Sequence, residues 1–149
     1  MLQIEKIEVN RIPDASGATE EQYEFVIVWK NLGQATATIR RIGIGRAIAP
    51  TPPHTPMYRF FEGPSIDAVV GTGEEYAFRT IDSTAVTPDQ RKQIDLGIAS
   101  QWVWGEIQFS DDAGTTTECG FVASRGGGRK PFWRLRGPIE YIYARSRGT

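Results

Sequence analysis

The sequence has little of what metal and redox chemistry requires. One cysteine, Cys119, and one histidine, His54, among 149 residues exclude an intrachain disulfide, a cysteine-rich zinc site and any histidine-pair metal motif. No apolar run approaches the ~20 residues needed to cross a bilayer. The start MLQIEKIEVN has neither the basic n-region nor the apolar h-region of a signal peptide. As given, the chain is expected to be soluble, with the presence of an anchor upstream left open. Signature loops are missing too. There is no G-x-S-x-G, P-loop or dinucleotide fingerprint, and Gly43-Ile44-Gly45-Arg46 opens a G-x-G without the third glycine or the following helix.

What is present is the composition of an ordinary globular domain: 40% hydrophobic, 11% aromatic and 23% charged, far from the profile of disordered chains. The length fits one domain, residues 1–149. Net charge is −1, but the segment from 121 onward holds seven Lys/Arg against Glu140 alone, so the tail is basic and the body acidic. The expected pairing is internal, tail to body, with an anionic polymer as the alternative partner.

Periodicity is that of strands. In Gln22–Asn31 the residues Tyr23, Phe25, Ile27 and Trp29 share one face, and Glu24, Val26, Val28 and Lys30 share the other. The first segment slips phase near Glu5 and Lys6, and the segment 36–48 slips at Arg40 and Arg41, as bulges or changes of sheet would make them do. Further strands are predicted over 57–62, 74–81, 101–110 and 116–124, with short runs at 132–135 and 139–143. Turn formers such as Asn31-Leu32-Gly33, Gly71-Thr72-Gly73 and Asp111-Asp112-Ala113-Gly114 separate them. One short helix is predicted near 88–96, with Thr87 as N-cap, Pro88 at N1, Gln90 at N3 and Gly97 closing it. The proline-rich segment 49–56 should run as an extended surface loop.

The order of features from Trp29-Lys30-Asn31-Leu32-Gly33, through Gly73-Glu74-Glu75, the Thr87-Pro88 helix and Trp102-Val103-Trp104-Gly105-Glu106, to Asp111-Asp112-Ala113-Gly114 and Cys119-Gly120-Phe121 resembles a group of uncharacterised bacterial proteins. Those carry an immunoglobulin-like β-sandwich behind N-terminal membrane helices. The resemblance covers residues 22–125. It implies the fold and a cell-envelope setting, and no catalytic residues.

Candidate chemistry is sparse. His54 lies in the proline-rich loop without a nucleophile motif around it, and Cys119 alternates with Phe121 and Ala123 as a small core hydrophobe would. Asp111 and Asp112, with Glu118 nearby, offer oxygen ligands for a cation, but aspartate and glycine are equally what a hairpin turn needs. Gly126-Gly127-Gly128 reads as a flexible connection. The aromatics are more informative. Trp102 and Trp104 share one strand face while Val103, Ile107 and Phe109 share the other, so the second face needs a cover. The C-terminal segment 126–149, rich in Phe132, Trp133, Leu135, Ile139, Tyr141 and Tyr143, is expected to pack there. Left uncovered, Trp102 and Trp104, flanked by Glu106 and Gln108 and extended by Tyr58, Phe60 and Phe61, would form a platform for a sugar or a protein.

The sequence therefore predicts an all-β protein: a single immunoglobulin-like antiparallel sandwich of about eight strands with one short helix. No catalytic residue, metal or cofactor is expected. The role expected is a non-enzymatic interaction module with a protein partner. The alternatives are a carbohydrate, held on Trp102 and Trp104, and then a polyanion such as nucleic acid, held by Arg129, Lys130, Arg134, Arg136 and the neighbouring Arg125, Arg145 and Arg147.

Overall fold

Strand alternation is realised as two antiparallel sheets packed face to face, in a computed structural model that describes residues 1–12, 22–81, 86–126, 135, 137–138 and 141–147. In chain order the strands are β1 (Leu2–Ile12), β2 (Gln22–Asn31), β3 (Ala37–Ala49), β4 (Arg59–Glu62), β5 (Val69–Val70), β6 (Glu75–Ile81), β7 (Ser100–Ser110), β8 (Thr116–Arg125) and β9 (Tyr143–Arg147). The helix α1 (Pro88–Asp95) lies between β6 and β7. The small sheet has the order β1-β2-β6. The large one runs β4-β3-β7-β8-β9, with β5 added on β3.

The inward faces make the core. Ile27, Trp29 and Phe78 of the small sheet meet Ile39, Ile42, Ile107, Phe109 and Phe121 of the large one, and the Trp29 ring stands edge-on to Phe121 with centroids 6.0 Å apart. A second cluster of Phe25, Val86, Ile94, Val103 and Ala123 places the one buried residue of the helix against both sheets. The β2 outer face is buried as well, at Val26 and Val28.

Both expected phase slips are register shifts: between Ile4 and Lys6 in β1, and between Ile39 and Arg41 in β3. The helix starts on the expected capping box. Thr87 Oγ1 accepts from the Gln90 backbone N–H at 3.2 Å and Gln90 Oε1 accepts from the Thr87 N–H at 3.0 Å. Gly97 follows the helix with φ +74°, a conformation other residues avoid.

The described strands number nine, in keeping with the expected eight or so, and include the two-residue β5, too short for any periodicity to show. Two expectations are corrected. The strand expected over 57–62 begins only at Arg59, because the Met57 carbonyl accepts from the Trp104 indole rather than from a neighbouring strand. Of the run expected over 139–143, residues 139–140 lie outside the described residues and Tyr141 and Ile142 are not in a strand; the Tyr141 N–H donates to the Pro138 carbonyl at 3.1 Å, and the strand runs over Tyr143–Arg147.

Trp29 is 1% exposed at the centre of the main core. Trp29→Ala should lower stability by about 3–5 kcal/mol, read as a drop in the urea midpoint; a wild-type midpoint would contradict this packing.

Candidate functional site

The inner face of β7 belongs to the core. Its outer face, Trp102, Trp104 and Glu106, is also buried, at 7%, 2% and 6% exposure. Tyr141 covers it. That ring is fully buried, packs with Val122, and meets Trp104 edge-on at 5.4 Å. The proline-rich segment is strapped over the same face by three hydrogen bonds to its carbonyls. Trp102 Nε1 donates to Ala49 at 3.1 Å, Trp104 Nε1 donates to Met57 at 2.9 Å, and the Tyr141 hydroxyl donates to Pro53. Gly45 lies opposite Trp104 on β3; a Cβ there would collide with the indole and with the Met57 carbonyl. The glycine lets the ring lie flat.

Further along the face the chemistry turns polar. Glu106 Oε1 accepts from Arg41 Nη2 at 2.9 Å, and Oε2 accepts from the Tyr143 hydroxyl. Glu118 stands between two guanidiniums, 4.0 Å from Arg41 and 3.7 Å from Arg145. Gly120, opposite Tyr143, makes room for that ring. Arg41 also lies over the Phe60 ring at 4.3 Å, and Arg145 over the Tyr143 ring at 4.3 Å. The result is a band of aromatic rings and arginines running from β4 across to β9. Its carboxylates are neutralised by pairing, as a buried charge requires.

The platform reading of Trp102 and Trp104 is therefore corrected: both indoles are covered within the chain, and their N–H groups are bonded to backbone carbonyls, so no sugar can stack on them. Tyr58 and Phe60 lie on the outer face with centroids 5.7 Å apart. Phe61 does not join them. Alternation turns it into the space between the sheets, where it packs on Phe78 at 5.1 Å. Arg129, Lys130, Arg134 and Arg136 lie outside the described residues, as do Phe132, Trp133 and Ile139. Of the remaining tail, Leu135 is 53% exposed and Arg145 pairs with Glu118.

His54 is exposed in its loop. Cys119 packs against the main core, and burial pushes its thiol above the usual range. The Asp111 carboxylate accepts from the backbone N–H groups of Ala113 and Thr115 at 3.0 and 2.9 Å, which is turn chemistry. Among the described residues no three His, Cys, Asp or Glu side chains converge as metal ligands, and no helix is long and apolar enough to cross a membrane. Sequence reading missed the joining of Arg41, Glu106, Glu118 and Tyr143. The available signal was parity: Glu106 shares the face of Trp104.

The phenols carry the pH dependence. Tyr143 is held well above its ordinary value of 10.0, first by burial and then by its hydrogen bond to Glu106; burial likewise raises Tyr58 and Tyr76. Below pH ~10 these groups are neutral whether the chain is folded or not. Above it the unfolded chain ionises first, so stability falls as pH rises past that point. Phenolate absorbance at 295 nm should lag for these three tyrosines until the protein unfolds; complete titration around pH 10 in the folded state would contradict the buried network.

No protein-family model matches the chain, and no curated protein does. Among solved structures it is similar to the X-ray structure of Northeast Structural Genomics Consortium target SoR45, at 14% sequence identity and a TM-score of 0.46, over 99% of this chain and 86% of that one.

Proposed function

We propose that this domain is a non-enzymatic interaction module that binds a protein through the outer face of its large sheet. The observation that carries this reading is the band of Tyr58, Phe60, Arg41, Tyr143 and Arg145. Phe60 is 47% exposed beneath a stacked guanidinium, and Met57, three residues earlier, is 78% exposed. Aromatic residues, methionine and arginine are the types enriched in protein interfaces, and rings held by packing lose little entropy on binding. Catalysis is disfavoured by the same geometry, since both oxygens of Glu106 are engaged by Arg41 and Tyr143.

The sandwich is read as immunoglobulin-like. The orders β1-β2-β6 and β4-β3-β7-β8 correspond to strands A-B-E and C′-C-F-G of that architecture. In this scheme the proposed binding face is the C′-C-F-G sheet, extended by β9. The buried tryptophan at the sheet interface sits on the second strand rather than the third.

A photo-crosslinking residue at position 60, expressed in the source cells, should give a discrete adduct with one protein. The same residue at Leu96, an apolar position 65% exposed elsewhere, should not. The partner identified from the adduct should bind the purified domain about tenfold more weakly after Phe60→Ala. Equal labelling at positions 60 and 96, or unchanged affinity, would contradict the assignment.

A further inference from the structure

Among the described residues the two sheets are unequal, three strands against six, and the small sheet stops at β6. At that margin a cleft of about 380 Å³ opens between β6 and β4, lined by Phe61, Ser65, Ile66, Tyr76, Phe78 and the strand segment around Ala77 and Arg79. Tyr76 and Phe78 face into the sandwich, opposite Trp29 and Ile27, whereas Glu75, Ala77 and Arg79 face outward. The Arg79 side chain reaches back across the outer face to Glu24 at 2.9 Å, so it is the edge of the strand that borders the cleft.

The main-chain pattern of that edge follows from one bond. Asn31 N–H donates to the Glu74 carbonyl at 3.0 Å, next to the Lys30–Glu75 register pair. In an antiparallel ladder the bonded residues alternate, so Tyr76, Phe78 and Thr80 turn their backbone groups toward β2. Glu75, Ala77 and Arg79 then turn theirs toward the open side.

The other sheet margins carry devices that discourage pairing. β1 has its register shift beside exposed Glu5 and Lys6, β4 is four residues long, and β9 presents Arg145 and Arg147. β6 has neither a register shift nor a short length, and its two charges, Glu75 and Arg79, are of opposite sign. It runs seven residues in unbroken register with β2, without proline.

Its sequence is also complementary to itself. Glu75-Tyr76-Ala77-Phe78-Arg79 has opposite charges at equal distance from Ala77. We propose that β6 pairs antiparallel with β6 of a second copy of this chain, about a two-fold axis at Ala77, joining two three-stranded sheets into one of six. Each Glu75 then stands opposite the second copy's Arg79 on the outer face, and each Tyr76 opposite the second copy's Phe78 on the inner face. Unlike charges and aromatic pairs directly across a ladder are favourable, and about six backbone hydrogen bonds close the seam. Glu75 also lies beside Glu5, whose carboxyl is raised first by its hydrogen bond to Glu75; an incoming guanidinium offsets that like-charge contact. The seam is isologous, as a two-fold dimer requires, and its five-residue overlap makes association weak and concentration-dependent.

Sedimentation velocity from about 10 μM to about 1 mM should show a monomer–dimer equilibrium in the wild type. Glu75→Arg and Arg79→Glu, both at exposed positions, should each weaken it about tenfold or more. An equimolar mixture of the two variants should restore it, because the mixed pair again opposes unlike charges at both ends. In a Cys119→Ser background, Ala77→Cys should form an intermolecular disulfide on mild oxidation, since directly opposed residues lie about 5.5 Å apart between Cα atoms. Arg79→Cys should not, its two copies being about 13 Å apart along the ladder. A monomer throughout that range would overturn the proposal. So would variants that associate like the wild type, a mixture that fails to recover, or equal crosslinking at positions 77 and 79.

Discussion

The burial of β7 on both faces is the constraint on which the large sheet depends. An antiparallel sheet ordinarily keeps one face in water. Here Trp102 and Trp104 make that face apolar, so the chain has to supply a third layer. Tyr141 and the segment from Ala49 to Met57 supply it, and the indole N–H groups become the points of attachment. Once that layer is in place Glu106 is cut off from water, and a carboxylate in that position needs partners. Arg41 from β3 and Tyr143 from β9 meet the need, tying the strands on either side of β7–β8 to the centre. An apolar requirement at one end of the strand thus becomes a polar network at the other.

The same construction divides the surface into parts with different uses. Where Tyr141 and the proline-rich strap lie, the outer face is closed. Beyond them the rings of Phe60 and Tyr143 remain partly open, each stacked with an arginine, on a sheet held rigid by its two neighbours. The small sheet also buries its outer face at Val26 and Val28, and among the described residues its β6 edge is unpaired beside an aromatic cleft. The open face and the open edge lie on different sheets.

Much of the fold was legible because it is local. Alternation in Gln22–Asn31, the paired apolar residues flanking Glu5-Lys6 and Arg40-Arg41, and the Thr87–Gln90 capping box each state their geometry within a few residues. Parity alone also separates Trp102 and Trp104 from Val103 and Ile107. The site was less legible because its members are distant in sequence: Arg41, Tyr58, Glu106, Glu118 and Tyr143 meet only through strand register. Only parity with Trp104 marks Glu106 in the sequence, since the cover comes from Ala49 to Met57 and from Tyr141, all 35 or more positions away. Phe60 and Phe61 look equivalent until β4 pairs with β3 and turns one ring out and the other in. Tyr141 reads as a strand residue until the turn at Pro138 drops it onto Trp104.

The claim that β7 is covered on its outer face is tested most directly by exchange of the tryptophan indole protons in D₂O, followed by NMR. The signals of Trp102 and Trp104, bonded to the carbonyls of Ala49 and Met57, should persist as long as those of core backbone amides, because both require the covering layer to open. Exchange of either indole within the dead time, with the core amides still protected, would show the outer face open to water and would contradict the account.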